Sequence, residues 1–247
     1  MTSTRTTAPR EANDKEDTMG VTAAKLIRWS GLAALVAGTI FAGIQPIHPA
    51  DVVSSVTTRE WTIITSLKMV MCLLFLVGIT GLYARQVGKA GRLGLAGFLV
   101  MVLGWAVQSC FVFAEAYILP VLANNDPKFV DGILGISYGR ASEVNLGALP
   151  ALYTLLTTVP YLLGGLLFGI ATLRARILPR WPAGILAAVS AVTPAAILLP
   201  HHIQRLVGMP VGIAIACLGF ALWYERRAHA EEPALGGIPQ LGHTGGD

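Results

Sequence analysis

Glu115 is a carboxylate in a run of residues that would otherwise suit a lipid environment, SCFVFAEAYILP, residues 109–120. A charged group near the centre of a bilayer costs from about 2.5 to more than about 10 kcal/mol. Such a group needs a partner of opposite charge, water or a proton. An ionisable residue at this depth predicts a site that binds or transports a small solute, an ion or a proton.

Lys68 is the second charge that lies well inside an apolar run, WTIITSLKMVMC, residues 61–72. It follows Trp61, interpreted as an interfacial anchor, by seven residues, which places it about 10 Å deep at 1.5 Å per residue. Glu115 precedes Pro120 by five residues and lies about 8 Å deep by the same rise. Because the two helices run antiparallel, the depths match and predict a Lys68–Glu115 ion pair. The alternatives are a Lys68 that snorkels to the headgroups, a neutral, hydrogen-bonded Glu115, and a pair with a purely structural role.

Two neutral polar residues join this pair in the predicted binding set, which is Glu115, Lys68, Gln108 and Thr65. Thr65 shares a helical face with Lys68. Gln108 belongs to a stripe of small and polar residues at spacings of three and four: Gly94, Gly97, Met101, Gly104, Gln108, Phe111 and Glu115. Small residues let helix backbones approach closely, so this stripe is predicted to face other helices.

Three histidines, His48, His201 and His202, end apolar runs on the same side as Glu115. Neutral imidazole suits Zn, Cu and haem iron, so these residues are the candidate ligands of a divalent metal or a haem. Adjacent residues on a helix point about 100° apart, so His201 and His202 would not both face one site. A polar histidine at the water boundary is the simpler interpretation, and no cofactor is predicted. Spaced metal-ligand motifs, catalytic triads and phosphate-binding glycine loops are absent from the sequence.

The chain that positions these residues has 247 residues, of which 54% are hydrophobic and only 13% are charged. Soluble domains carry about 25% charged residues, so the composition indicates a membrane protein. Six apolar runs are long enough to cross a bilayer, which needs about 20 residues. We therefore predict an all-α, six-transmembrane-helix bundle over residues 25–227, with spans near 27–47, 61–83, 93–120, 150–173, 182–200 and 206–224. Polar residues 1–24 and 228–247 are predicted to be disordered tails.

Orientation follows from the distribution of the eighteen Lys and Arg residues. With six spans, one side carries thirteen of them: Arg5, Arg10, Lys15, Lys25, Arg28, Arg85, Lys89, Arg92, Arg174, Arg176, Arg180, Arg226 and Arg227. The positive-inside rule then places both tails in the cytoplasm. The positive charges flank apolar runs and form no basic face, so nucleic acid is not a predicted partner. The lipid bilayer is the predicted partner, with an unidentified small molecule or ion, and a homodimer is an alternative to the monomer.

Three runs characterise the chain: GLYARQVGKAGRLGLAGF (residues 81–98), FVFAEAYILPVLA (111–123) and GGLLFGIATLRARILPRW (164–181). In these runs the chain resembles the small, functionally uncharacterised multi-pass membrane proteins of high-GC Gram-positive bacteria. The resemblance implies a plasma-membrane protein and transfers no active-site residue.

The leading interpretation is a bundle with an outward-facing polar pocket around Glu115, Lys68 and Gln108 that binds or moves a small solute, ion or proton. One alternative is an intramembrane enzyme acting on an isoprenoid or lipid, in which Glu115 would be the general acid. Another is a haem- or quinone-linked redox module that uses His48 with His201 or His202. No catalytic residue is predicted under the leading interpretation.

Overall fold

The computed structural model describes residues 22–198 and 201–231, and every regular element within those ranges is helical. The α-helices are α1 (Ala23–Ile44), α2 (Arg59–Phe113), α3 (Leu119–Leu122), α4 (Pro127–Gly135), α5 (Leu149–Tyr153), α6 (Val159–Ala175), α7 (Arg180–Val192), α8 (His201–Leu206) and α9 (Met209–Glu231). Short π-helices, Ala114–Ile118 and Thr154–Thr158, join α2 to α3 and α5 to α6. A 3₁₀-helix, Thr193–Leu198, continues α7. The predicted tails lie outside the described residues except at their edges, where α1 begins at Ala23 and α9 runs to Glu231.

Four segments are long and apolar enough to cross a membrane: Ala23–Ile44, Arg59–Leu122, Leu149–Ala175 and Ile203–Glu225. The all-α class is confirmed, and these segments indicate a membrane protein. Large apolar side chains on the exterior fit this environment: Val70, Leu73 and Val77 of α2 are each about half exposed. The sequence predicts six spans, whereas four segments meet the criteria of length and apolarity. Arg59–Leu122 covers two of the predicted spans as one continuous segment, and α7, in the fifth predicted span, has only 13 residues.

Helix α2 is a hairpin of two antiparallel arms, residues 59–90 and 92–113. A straight helix would separate residues 54 positions apart by about 80 Å, yet the Trp61 indole Nε1 lies 3.1 Å from the Glu115 carbonyl oxygen. Tyr83 and Phe98 stack with their ring centroids 4.5 Å apart, close to the reversal. The chain turns at Gly91, whose φ of 59° and ψ of −164° are accessible almost only to glycine.

Close backbone contacts tie the helices together at glycines. A Cβ atom added at Gly97 would lie 2.9 Å from Phe168 Cα, and one added at Gly164 would lie 2.8 Å from Met101 N. These contacts join the second arm of α2 to α6, and Gly94, Gly97, Met101 and Gly104 are all buried. The predicted inward orientation of the glycine stripe is therefore confirmed.

The two ends of the bundle differ in chemistry. The hairpin end, defined by Gly91 and by residues 176–179, carries the Arg85–Glu225 ion pair and a buried hydrogen bond of 2.9 Å from Gln86 Nε2 to Thr172 Oγ1. The loop end is defined by the longer connections, residues 45–58 and 123–148. Lys68 and Glu115 lie toward the loop end.

Candidate functional site

A cavity of about 620 Å³ occupies the half of the bundle nearest the loop end. Its walls come from α1, both arms of α2, the α5–α6 segment and Arg205 of α8, and residues 133–134 and 136–139 also line it. The cavity begins where the close packing between the second arm of α2 and α6 ends. Gly104 is the last glycine of the stripe in tight contact, and it packs against Pro160. Beyond Gly104, the stripe residues Gln108, Phe111 and Glu115 line the cavity.

The predicted ion pair between Lys68 and Glu115 is present at the loop end of this cavity. Lys68 Nζ lies 2.6 Å from both Glu115 carboxylate oxygens, and each side chain is only 16% exposed. The third contact of the ammonium is His48 Nε2, at 3.3 Å. An ammonium group has three N–H donors, so these contacts satisfy the hydrogen-bonding capacity of Lys68.

His48 has one tautomer that fits its neighbours. Its Nδ1 lies 2.7 Å from the Pro49 carbonyl oxygen, which only accepts, and its Nε2 faces the Lys68 ammonium, which only donates. The proton therefore belongs on Nδ1, and Nε2 accepts from Lys68. The assignment rests on the hydrogen-bond partners and makes His48 a neutral link between the loop after α1 and the Lys68–Glu115 pair.

A second ion pair lies beside the first. Arg205 of α8 donates to the Asp51 carboxylate and to the Tyr138 hydroxyl, and its Nη1 lies 3.3 Å from the Pro49 carbonyl oxygen. His48 Nδ1 is 3.9 Å from Asp51 Oδ1, which joins the two pairs. We call these five side chains the polar network: His48, Asp51, Lys68, Glu115 and Arg205. With His48 neutral, the charges of the two carboxylates and the two basic groups of the network cancel.

A π-helix and a tryptophan position Glu115. The Leu119 N–H bonds the Ala114 carbonyl in the π-helix, and Pro120 has no N–H. The Glu115 carbonyl is therefore left without a backbone donor, and the Trp61 indole satisfies it at 3.1 Å. Trp61 is fully buried and packs with Leu119 and Val130, so its indole faces the protein interior and not the lipid. The second π-helix, Thr154–Thr158, lies at the same offset from Pro160 and lines the same cavity.

The other predicted binding residues divide between the cavity and the protein interior. Gln108 lines the middle of the cavity and interacts with the Tyr153 hydroxyl. Thr65 is completely buried, and its hydroxyl donates to the Trp61 carbonyl at 2.7 Å. Thr65 therefore supports the helix that carries Lys68, and it is not among the residues that line the cavity.

His48, Asp51 and Glu115 form a group with the spacing of metal ligands, since their ligand atoms lie within 4.8 Å of one another. Both carboxylates, however, already accept from Lys68 or Arg205. A divalent cation would displace the Lys68 ammonium and leave the network with two uncompensated positive charges, which is costly in a buried site. The side chains of His201 and His202 lie outside the described part of the chain, so their contribution to a metal or haem site stays a prediction.

Several cavity residues carry no signal in the sequence that singles them out. Asp51 and Arg205 are 154 positions apart, and Tyr138 comes from a connection with no evident motif. Their common feature is the side of the membrane on which the predicted topology places them. A search of that side for charges of opposite sign would have found the Asp51–Arg205 pair.

Comparison with protein-family models, with curated proteins and with solved structures finds no match for this chain.

Proposed function

We propose that the protein crosses the plasma membrane six times, with both tails in the cytoplasm. The reversal of α2 at Gly91 supports counting its two arms as separate crossings. Helix α7 with its 3₁₀ continuation, residues 180–198, supplies the fifth crossing. Lys and Arg are concentrated toward the hairpin end, which the positive-inside rule assigns to the cytoplasm.

This topology is testable by cysteine labelling in intact cells. In a variant with Cys72, Cys110 and Cys217 replaced by Ala, Ser137→Cys at the loop end is expected to react with a membrane-impermeant maleimide. Lys89→Cys at the hairpin end is the matched exposed position and is expected to react only after permeabilisation. Labelling of Lys89→Cys in intact cells would contradict the proposed orientation.

Within this topology, the protein binds a small organic solute from the outer side, as the recognition step of transport or sensing. The observation that carries this proposal is the cavity of about 620 Å³ that ends at the polar network. Ligand pockets typically measure about 300–1,000 Å³ and combine apolar walls with a few fixed polar groups. A bare ion fits less well, because the charges of the network already cancel. Both Glu115 oxygens accept from Lys68, so the geometry gives no support to Glu115 as a general acid.

Blocking the cavity tests the proposal while the ligand is still unidentified. Gln108→Trp would place an indole in the middle of the cavity, and Leu103→Trp is the control because Leu103 is 50% exposed on the lipid-facing side of the same helix. Protein purified in mild detergent is extracted with solvent, and the released compounds are quantified by mass spectrometry. Gln108→Trp is expected to retain less than about a tenth of a compound that the wild type and Leu103→Trp both carry. Identical extracts from all three proteins would refute ligand binding in this cavity.

A further inference from the structure

The end of the cavity farthest from the polar network is a floor of aromatic residues. Trp105 stacks on Phe75 at 4.1 Å between ring centroids and meets Tyr161 edge-on at 6.1 Å and Phe41 at 5.7 Å. Trp105, Tyr161 and Phe41 line the cavity. Trp105 precedes Glu115 by ten residues, so the floor lies about 15 Å from the polar network along the helix.

Two hydrogen-bond donors on this floor have no partner in the described part of the chain. They are the indole N–H of Trp105, a residue only 5% exposed, and the Tyr161 hydroxyl. Buried indole N–H and phenol O–H groups usually find a partner. Gln86 Oε1 is the one fully enclosed side-chain polar atom without a partner among the described residues. The indole N–H of Trp105 and the Tyr161 hydroxyl lack partners but are not fully enclosed. Because both residues line the cavity, these donors open onto it.

We infer that Trp105 and Tyr161 form a donor subsite for the carbonyl oxygen of an uncharged, largely apolar ligand. This inference rests on the proposed function and names the class of its ligand. A carbonyl oxygen has two lone pairs and can accept from both groups at once.

The chemistry of the floor selects an acceptor and disfavours a charge. The indole N–H only donates, so a ligand group that also only donates would leave it unpaired. No charged side chain lines this end of the cavity among the described residues, so a ligand carboxylate or ammonium would be desolvated without compensation. The aromatic walls are suited to burying the apolar remainder of the ligand.

A pair of probes that differ only in the carbonyl group tests this assignment. Benzophenone and diphenylmethane are titrated against the wild type in nanodiscs, and binding to empty nanodiscs is subtracted. Benzophenone is expected to bind at least about tenfold more tightly, since each net hydrogen bond contributes roughly threefold to tenfold. The infrared carbonyl band of bound, ¹³C-labelled benzophenone is expected to shift to lower frequency.

The variants Trp105→Phe and Tyr161→Phe keep an aromatic ring and remove one donor each. Each is expected to weaken benzophenone binding about threefold to tenfold and to leave diphenylmethane binding unchanged. Trp29→Phe, at a position 64% exposed, is the control and is expected to change neither.

Equal affinity for the two probes, with no effect of either variant, would overturn the donor subsite and leave the proposed ligand cavity intact. Binding of neither probe would also overturn it, whereas the comparison of Gln108→Trp with Leu103→Trp decides the proposed function separately.

Discussion

Lys68→Met is expected to lower the free energy of unfolding by about 3–5 kcal/mol, because it leaves the Glu115 carboxylate unpaired inside the bundle. Two of the three contacts of the Lys68 ammonium are to Glu115, at 2.6 Å, and the third is to His48. Removal of Lys68 therefore leaves the Glu115 carboxylate with the neutral His48 imidazole as its nearest basic group, at 3.7 Å from Nε2 to Oε1, and no other basic side chain in the described part of the chain pairs with it. Unfolding is measured by denaturant titration in mixed micelles with circular dichroism.

The loop end offers a matched control for this substitution. Lys128 pairs with Glu143 at 3.1 Å, but these side chains are 69% and 73% exposed. Lys128→Met is expected to cost less than about 1 kcal/mol, as exposed pairs usually do. The double variant Lys68→Met/Glu115→Leu removes both charges and is expected to recover most of the lost stability. A Lys68→Met protein as stable as Lys128→Met would show that the buried pair contributes nothing to folding.

Gly38→Leu is expected to separate α1 from α9 and to destabilise the fold by about 3 kcal/mol, at the upper end of what overpacking costs. A Cβ atom at Gly38 would lie 3.0 Å from Ala216 Cα, so a side chain there meets backbone that cannot rotate away. Gly212 of α9 is similarly close to α1, because its added Cβ would lie 2.8 Å from Ala42 N. The contact is therefore backbone against backbone, a packing mode that small residues make available to membrane helices.

Gly43 is the control for this change, since it lies in the same helix and an added Cβ there meets nothing within 4 Å. Gly43→Leu is expected to be neutral or to stabilise by up to about 1 kcal/mol, because leucine is the better helix former. The midpoint of thermal unfolding in detergent distinguishes the two variants. Equal midpoints would mean that the α1–α9 contact tolerates separation and does not limit stability.

Helical periodicity and the membrane environment account for the parts of the molecule that were predictable. The Lys68–Glu115 pair followed from two depths along antiparallel helices, because rise per residue is constant. The inward face of Gly97 and Gly104 followed from spacings of three and four. These are one-dimensional constraints, and a single sequence contains all the information that they require.

Partners that depend on the rotation and tilt of helices were decided by packing. The Asp51–Arg205 pair joins positions 154 residues apart, and the Trp61 indole bonds the Glu115 carbonyl that a π-helix leaves free. Local periodicity encodes neither contact, because each requires residues of two segments to lie at the same height in the bundle and to face each other.

The sequence alone therefore determined the helical membrane class, the inward face of the second arm of α2 and the matching heights of Lys68 and Glu115, because each follows from composition or spacing along one chain. The tertiary structure alone decided that His48, Asp51 and Arg205 complete the network, and that Trp105 and Tyr161 leave donors open at the other end of the cavity. The physical reason lies in two features of the packing. Glycines near the hairpin end let neighbouring helices come into close contact, and the two π-helices near the loop end line the space where the helices separate.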